Sequence, residues 1–457
     1  MVVNPLLAID TQSDRPDEDQ FTSWTWIRAT ARKPGATGWF LEVNGEHHVR
    51  AGEDVEGIWE VRAGESGWQG PVGSAHIRVG HLIERWGKLD MLSIADVLNP
   101  ADLRAGPLST VEATRLPVPM AHIQVGRGRV RAELALMPFS SADRIDMVGS
   151  DWSVIRPGML DDFLSDAATW EGGSSALLAE SVQALQGGLA AASPSTIRGL
   201  SSGLSQVGTP EATGLNGEAA VRLELEGRGL DGALMAGALR SHVPATELAP
   251  ELRQVLKAGA WPEIDELTEL TQAISNPLAT QWPRTWFAGA EMATTVGQLG
   301  LRAEGAWWSD SVLQTPWLGS ALSPKLSGGL GLDWMSGTHL LISAEGRYTH
   351  HTDAPDDLVL MRASQLDVAG LLRFTTMADR LSLLAAGVLT PKHAEYLARP
   401  EARYRITDAL EVGVGAVFMG GDKAPPKTLV DAMRYDAGPM ANFAQNDCVF
   451  AQLQWIQ

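Results

Sequence analysis

The stretch Leu340-Leu341-Ile342-Ser343-Ala344-Glu345-Gly346-Arg347-Tyr348 decides the fold. Leu340, Ile342, Ala344 and Tyr348 share one parity, and Ser343, Glu345 and Arg347 share the other. Successive side chains of an extended strand point to opposite faces, so a period of two gives one apolar face and one charged face. The same pattern recurs upstream. Leu299, Leu301 and Ala303 alternate with Gly300, Arg302 and Glu304, and Val221, Leu223 and Leu225 with Arg222, Glu224 and Glu226. Val130, Ala132, Leu134 and Leu136 alternate with Arg131, Glu133 and Ala135, and Ala75, Ile77 and Val79 with His76 and Arg78. Downstream, Leu410, Val412, Val414, Ala416 and Phe418 make a further apolar face, and Val449, Ala451, Leu453 and Trp455 make the last.

A soluble sandwich and a membrane barrel share this rhythm. In the first the apolar face packs on a core. In the second it meets lipid while the charged face lines a wet lumen. Pattern counting gives about 16 strands (range about 14–18), many of them longer than sandwich strands usually are. The fold class read from the sequence is therefore all-β: a transmembrane antiparallel up-and-down β-barrel with two helical insertions. Leu301, Leu340, Ile342 and Val414 are then expected on its outer belt.

Composition agrees. Of 457 residues, 44% are hydrophobic and 20% charged. No apolar run reaches the ~18 residues that a membrane-crossing helix requires. Glycine (47) and tryptophan (16) are abundant, as in barrels that bend at glycine and carry aromatic girdles. The net charge of −19 disfavours nucleic acid, which needs a basic stripe to meet phosphates. The single cysteine, Cys448, forms no intrachain disulfide and no cysteine metal cluster.

Residues 1–20 read as an acidic leader, and 21–457 as the barrel. Segments 85–119, 150–215 and 245–277 interrupt the rhythm as inserted loops. The last two have helical spacing and are the expected places for protein partners, with outer-membrane lipid around the wall. Met1-Val2-Val3-Asn4-Pro5 has no basic segment followed by an apolar core, so the chain is read as a mature form without signal peptide.

The most distinctive insertion runs Arg85-Trp86-Gly87-Lys88-Leu89-Asp90, then Asp96-Val97-Leu98-Asn99-Pro100-Ala101-Asp102-Leu103-Arg104, then Arg115-Leu116-Pro117-Val118-Pro119-Met120. Its charges nearly balance, which suggests a fold-in held to the wall by charge pairs among Asp96, Asp102, Arg104 and Arg115. These pieces, with Pro138-Phe139 and Gly149-Ser150-Asp151-Trp152, resemble a family of porin-like outer-membrane proteins of Gram-negative bacteria. That family has no firmly assigned activity and is itself similar to alginate-export-type barrels. The resemblance spans about Gly80 to Ser153 and implies an outer-membrane barrel without naming a solute. The chain departs from the usual terminal aromatic, since Trp455 is followed by Ile456 and Gln457.

No enzymatic constellation emerges. His47-His48 and His350-His351 are adjacent pairs whose members face opposite ways on a strand, so neither chelates a metal. Gly126-Arg127-Gly128-Arg129 reads as a hairpin turn, because no helix follows it to hold a phosphate. No cofactor, metal or catalytic residue is assigned. The functional reading is a porin-like channel or export conduit for small solutes or polymer. Its expected lumen lining is His76, Arg78, Arg131, Glu133, Arg222, Glu224, Arg302, Glu304, Glu345, Arg347 and Arg373. The rival readings are a plugged barrel that anchors a multiprotein complex, and a soluble β-protein such as an adhesin.

Overall fold

The computed structural model describes residues 2–10, 21–33, 37–51, 55–109, 114–145, 152–156, 159, 162, 217–259 and 278–456. Among them the strands run β1 (Val2–Asp10), β2 (Phe21–Arg32), β3 (Gly38–Ala51), β4 (Val55–Val72), β5 (Ala75–Leu82), β6 (Val118–Arg127) and β7 (Val130–Met137). They continue as β8 (Glu218–Glu226), β9 (Leu230–Arg240), β10 (Ala245–Leu248), β11 (Leu278–Gln281), β12 (Arg284–Val296), β13 (Leu299–Thr315) and β14 (Gly319–Ser336). The remainder are β15 (Leu340–His351), β16 (Ser364–Thr376), β17 (Leu381–Thr390), β18 (Glu395–Thr407), β19 (Leu410–Gly420) and β20 (Cys448–Ile456).

Eighteen of these strands form one antiparallel sheet in which each pairs with its neighbours in sequence; β10 and β11 form a separate pair, and β9 pairs directly with β12. The sheet closes because β1 pairs with both β2 and β20. Closure leaves no edge, so every ladder group finds a partner within the wall. Among the described residues the wall thus has 18 strands, above the expected value of about 16 and at the top of the expected range of about 14–18.

One of the uncounted strands is β1. Its residues were assigned to the acidic leader, and they instead complete the wall. Pro5 obscured this, since proline donates no ladder hydrogen bond. The register explains how it is tolerated. Pro5 lies opposite Thr25 of β2, whereas the ladder to β20 passes from Val3–Trp455 to Leu6–Gln452. The proline falls in that gap. Residues 11–20 lie outside the described residues.

Parity sorts the side chains by face. Leu301, Ile342 and Val414 are exposed (43%, 41% and 60%), together with Leu330 (70%), Leu234 (64%) and Trp286 (66%). Glu304, Glu345, Glu291, Arg222 and Asp367 are at most 9% exposed on the inward face. An interior of buried charges inside an exterior of exposed aliphatics reverses the plan of a soluble sandwich. Leu340 has the outward parity and is half-buried near the end of β15.

The two ends differ. At one, strands join through tight turns such as Gly73-Ser74, Gly128-Arg129 and Gly337-Thr338-His339, and Gly128 (φ +66°) and Gly337 (φ +60°) supply the left-handed backbone these turns need. At the other lie the long connections. Segment 245–277 contains the β10 strand and one helix, α1 (Pro250–Ala258), closed by Gly259 in the left-handed region; residues 260–277 lie outside the described residues. Of segment 150–215 only residues 152–156, 159 and 162 are described, so its helical reading falls outside them. The connection 421–447 carries two short helical turns, α2 (Leu429–Ala432) and α3 (Pro439–Asn442).

The seam is testable. Leu6 points inward and is 2% exposed, whereas Leu7 points outward and is 38% exposed. Leu6→Ala should cost about 2–5 kcal/mol and lower the temperature at which the detergent-solubilised barrel loses its compact gel mobility. Leu7→Ala should move that temperature much less. Equal shifts would contradict β1 as the closing strand.

Candidate functional site: the lumen and its fold-in

The connection between β5 and β6, described over residues 83–109 and 114–117, turns into the barrel rather than out of it. An irregular segment has backbone amides with no ladder to satisfy them, and burying them unpaired is costly. Wall carboxylates take that role. Glu304 Oε1 accepts the amides of Lys88 and Leu89 (2.5 Å for the latter), and its Oε2 accepts those of Ile94 (2.7 Å) and Ala95 (3.0 Å). Glu345 accepts Asp90 N (2.8 Å), Met91 N (3.0 Å) and Leu92 N (2.8 Å). Glu291 accepts Gly87 N (2.8 Å).

The charge of these carboxylates is balanced from the same wall. Arg222 sits between Glu133 (3.1 Å), Glu224 (3.3 Å) and Glu291 (2.5 Å). Arg302 reaches Glu345 (3.1 Å), Asp333 (2.8 Å) and, on the fold-in, Asp90 (2.6 Å). The fold-in also packs an apolar side on the wall. Trp86, Leu89, Ile94 and Leu98 cluster with Leu82, Met120, Met235, Phe287 and Trp308 of the wall. The wall is bare where they press closest: a Cβ on Gly329 would stand 2.7 Å from Leu89, and one on Gly331 2.8 Å.

A second network holds the other flank. Arg104 contacts Asp102 (2.8 Å), Glu46 (2.8 Å) and Glu60 (3.2 Å), Arg62 bridges Glu46 (2.8 Å) and Asp102 (3.1 Å), and Arg144 reaches Glu60 (2.8 Å). Burial raises the Asp102 carboxyl, but Arg104, Arg144 and Arg62 outweigh it and hold the group below the usual carboxylate range. Asp96 pairs with Arg115 at 2.6 Å; there burial prevails and pushes the carboxyl up. Asn99, fully buried, ties the segment together by donating to Leu82 O and Leu116 O (both 2.9 Å) and accepting Glu84 N (2.9 Å).

Of the residues read as lumen lining, Glu133, Arg222, Glu224, Arg302, Glu304 and Glu345 come together around the fold-in. Arg78 pairs with Glu65 (3.0 Å) and with Glu84 of the fold-in. Arg347 pairs with Asp367 (2.8 Å) on the neighbouring wall. Arg131 lies near the short-turn rim on Glu224 (3.0 Å) and Glu226 (2.7 Å). His76 is half-buried on β5 and Arg373 is exposed near the short-turn end of β16; neither joins the central cluster. The sequence reading missed Glu46, Glu60, Arg62, Glu291, Glu401 and Arg403. Alternation along β3 (Glu42, Asn44, Glu46, His48) was the available signal for the first of these.

Between the fold-in and the wall formed by β1–β4, β18 and β20 an opening of about 360 Å³ remains. Its charged lining residues are Arg28, Arg62, Arg115 and Arg403 against the single carboxylate Glu42. Arg28 and Glu42 are 3.5 Å apart. Asn4, Asn44, Gln452 and Gln454 add neutral polar surface.

No family model matches the chain, and no curated protein does. Solved structures do. OccAB3 of Acinetobacter baumannii is 6% identical, with 99% of this chain and 97% of that one covered, at a TM-score of 0.45. A BenF-like porin from Pseudomonas fluorescens Pf-5 is 9% identical over 99% and 95% of the two chains, at 0.46. OccK5 (OpdH) of Pseudomonas aeruginosa is 9% identical over 99% and 95%, at 0.43. They lend no support to the likeness to alginate-export-type barrels. At such identities and scores the lumen has to be read from its own residues.

Two outcomes follow. Glu304→Gln replaces one acceptor oxygen with a donor that faces two amides, so the fold-in should loosen and trypsin should cut folded protein at Arg85 or Lys88, where the parent resists. Resistance equal to the parent's would contradict the anchoring. Arg104→Ala should destabilise at neutral pH by less than the about 3–5 kcal/mol of a wholly unpaired buried charge, because Arg62 and Arg144 still reach Glu46, Asp102 and Glu60. A depressed carboxyl contributes stability above its unfolded value of about 3.9 and loses it as pH falls through the folded value. The gap in melting temperature between parent and variant should therefore narrow below about pH 4. A constant gap would remove Asp102 from the account.

Proposed function

We propose that the chain is a channel in the bacterial outer membrane that passes small solutes and favours anions over cations. The observation that carries this reading is the lining of the remaining opening, where four arginines face one carboxylate in a chain of net charge −19. The four guanidinium groups are also paired with Glu42, Glu46, Asp102, Asp96 and Glu401, so the preference rests on which groups face the opening rather than on a net excess, as rings of arginine bias a pore toward anions. The closed wall with its apolar exterior supports placement in a bilayer, with lipid as the surrounding partner. An opening of about 360 Å³ suits a small solute better than a polymer, which weighs against the export reading.

Planar-bilayer recording tests this. Under a salt gradient the parent should show a reversal potential of anion-preferring sign. Arg28→Gln combined with Arg403→Gln should reduce the anion-to-cation permeability ratio by roughly twofold or more. A cation-preferring parent, or a ratio indifferent to both substitutions, would overturn the anion preference. Absence of conductance in both the parent and Glu304→Gln would favour the plugged anchor instead.

A further inference from the structure

The outer surface of β6 to β9 carries an apolar groove of about 500 Å³. Two cross-strand rows build it, Val125–Ala132–Leu223–Leu234 and Ile123–Leu134–Val221–Ala236. The small side chains of Ala132 and Ala236 leave the depression, and the larger aliphatics wall it.

Its end toward the short turns is cationic. Arg127 follows Ile123 and Val125 on the same outward parity, two residues and therefore about 7 Å beyond Val125. Arg129 lies in the β6–β7 turn and Arg228 in the β8–β9 turn, and the Glu226 amide at the end of β8 donates to Arg129 O at 2.8 Å. All three arginines are exposed. The carboxylates of this corner lie on the inward parity. Arg131 engages Glu224 (3.0 Å) and Glu226 (2.7 Å), and Asp231 accepts the Gly227 amide (3.2 Å). Strand parity places Arg127 on the outer face at the end of the trough, and Arg129 and Arg228 stand exposed in the two adjoining turns at that same end.

We propose that this surface is a binding site for one anionic phospholipid of the leaflet at the short-turn end. An acyl chain lies in the groove at Ala132 and Ala236, and the phosphate is held by Arg127, Arg129 and Arg228. The site rests on the membrane reading above. Surrounding lipid tails are as apolar as the groove, so burial alone selects nothing. Selectivity comes from charge-assisted hydrogen bonds between phosphate oxygens and guanidinium groups, for which arginine is suited. An excess of negative charge elsewhere on the chain makes a local cationic cluster necessary for an anionic headgroup to stay.

Native mass spectrometry of the full-length barrel, offered equal amounts of phosphatidylglycerol and phosphatidylcholine in detergent, tests it. The parent should retain one phosphatidylglycerol, with a preference over phosphatidylcholine roughly tenfold above that of the Arg127→Gln, Arg129→Gln, Arg228→Gln triple variant. Ala236→Phe, which fills the groove without changing charge, should lose the retained lipid. Inorganic phosphate should not displace it. An unchanged melting temperature in each variant shows that the wall still folds. Retention equal in parent and triple variant, retention indifferent to Ala236→Phe, or displacement by inorganic phosphate would overturn the site. Vesicle flotation separates the two readings. A parent that does not float overturns the membrane reading and the site with it, whereas a parent that floats without selecting phosphatidylglycerol overturns the site alone.

Discussion

Three buried carboxylates that accept main-chain amides, Glu291, Glu304 and Glu345, determine what the interior of this barrel can be. Between them they receive eight consecutive or near-consecutive amides of the fold-in, from Gly87 to Ala95. A closed sheet satisfies its own ladder but has nothing left for a segment that enters its lumen. Neutral side chains could accept a few of those amides. A carboxylate offers about four lone-pair sites on two oxygens, so one wall residue can hold a whole turn. The cost is a buried negative charge, which Arg222 and Arg302 on the same wall offset. The fold-in, the carboxylates and the two arginines therefore stand or fall as a unit.

That unit divides the lumen. One side is filled, with leucines and Trp86 of the fold-in pressed on Phe287, Trp308 and the bare glycines of β14. The opposite side is left open and polar. The fold-in thus bounds the opening, and it is held in place by hydrogen bonds to strands more than 200 residues away in sequence.

The same nonlocality explains what the sequence could and could not disclose. Period-two alternation is a local property, so strands with one charged and one aliphatic face were legible from segments such as 340–348, and it was their number and length that tilted the reading from a sandwich to a barrel. Glu304 and Glu345 were placed on the inner face by parity alone. Their partners were not, because nothing in alternation says which loop will arrive opposite a given strand. Instead of lining an open pore, both side chains are covered by backbone. Glu46 and Glu60 were missed for a related reason: their strands carry tryptophans, histidines and glycines that blur the rhythm. His48 and Trp24 stack inside at 3.8 Å while the neighbouring His47 stacks on Trp59 at 4.1 Å, so opposite faces of β3 carry the same residue type. The eighteenth strand was hidden by Pro5, whose place in a ladder becomes apparent only from the gap in its pairing with β20.

The charge of the open side also traces back to the fold-in. Arg115 belongs to that segment, yet it lines the opening with the wall residues Arg28, Arg62 and Arg403. It is held there by Asp96 at 2.6 Å and by the carbonyl of Asn99 at 3.1 Å. Arg62, from the wall, is held from the other direction by Asp102 of the fold-in. Two of the four cations around the passage are therefore fixed by the segment that narrows it. In a lumen where the filler was a detachable plug, size and charge could vary independently. Here a change that releases the fold-in would widen the opening, remove Arg115 and leave Arg62 with Glu46 alone, so in the proposed channel the size and the charge of the opening depend on one folded segment.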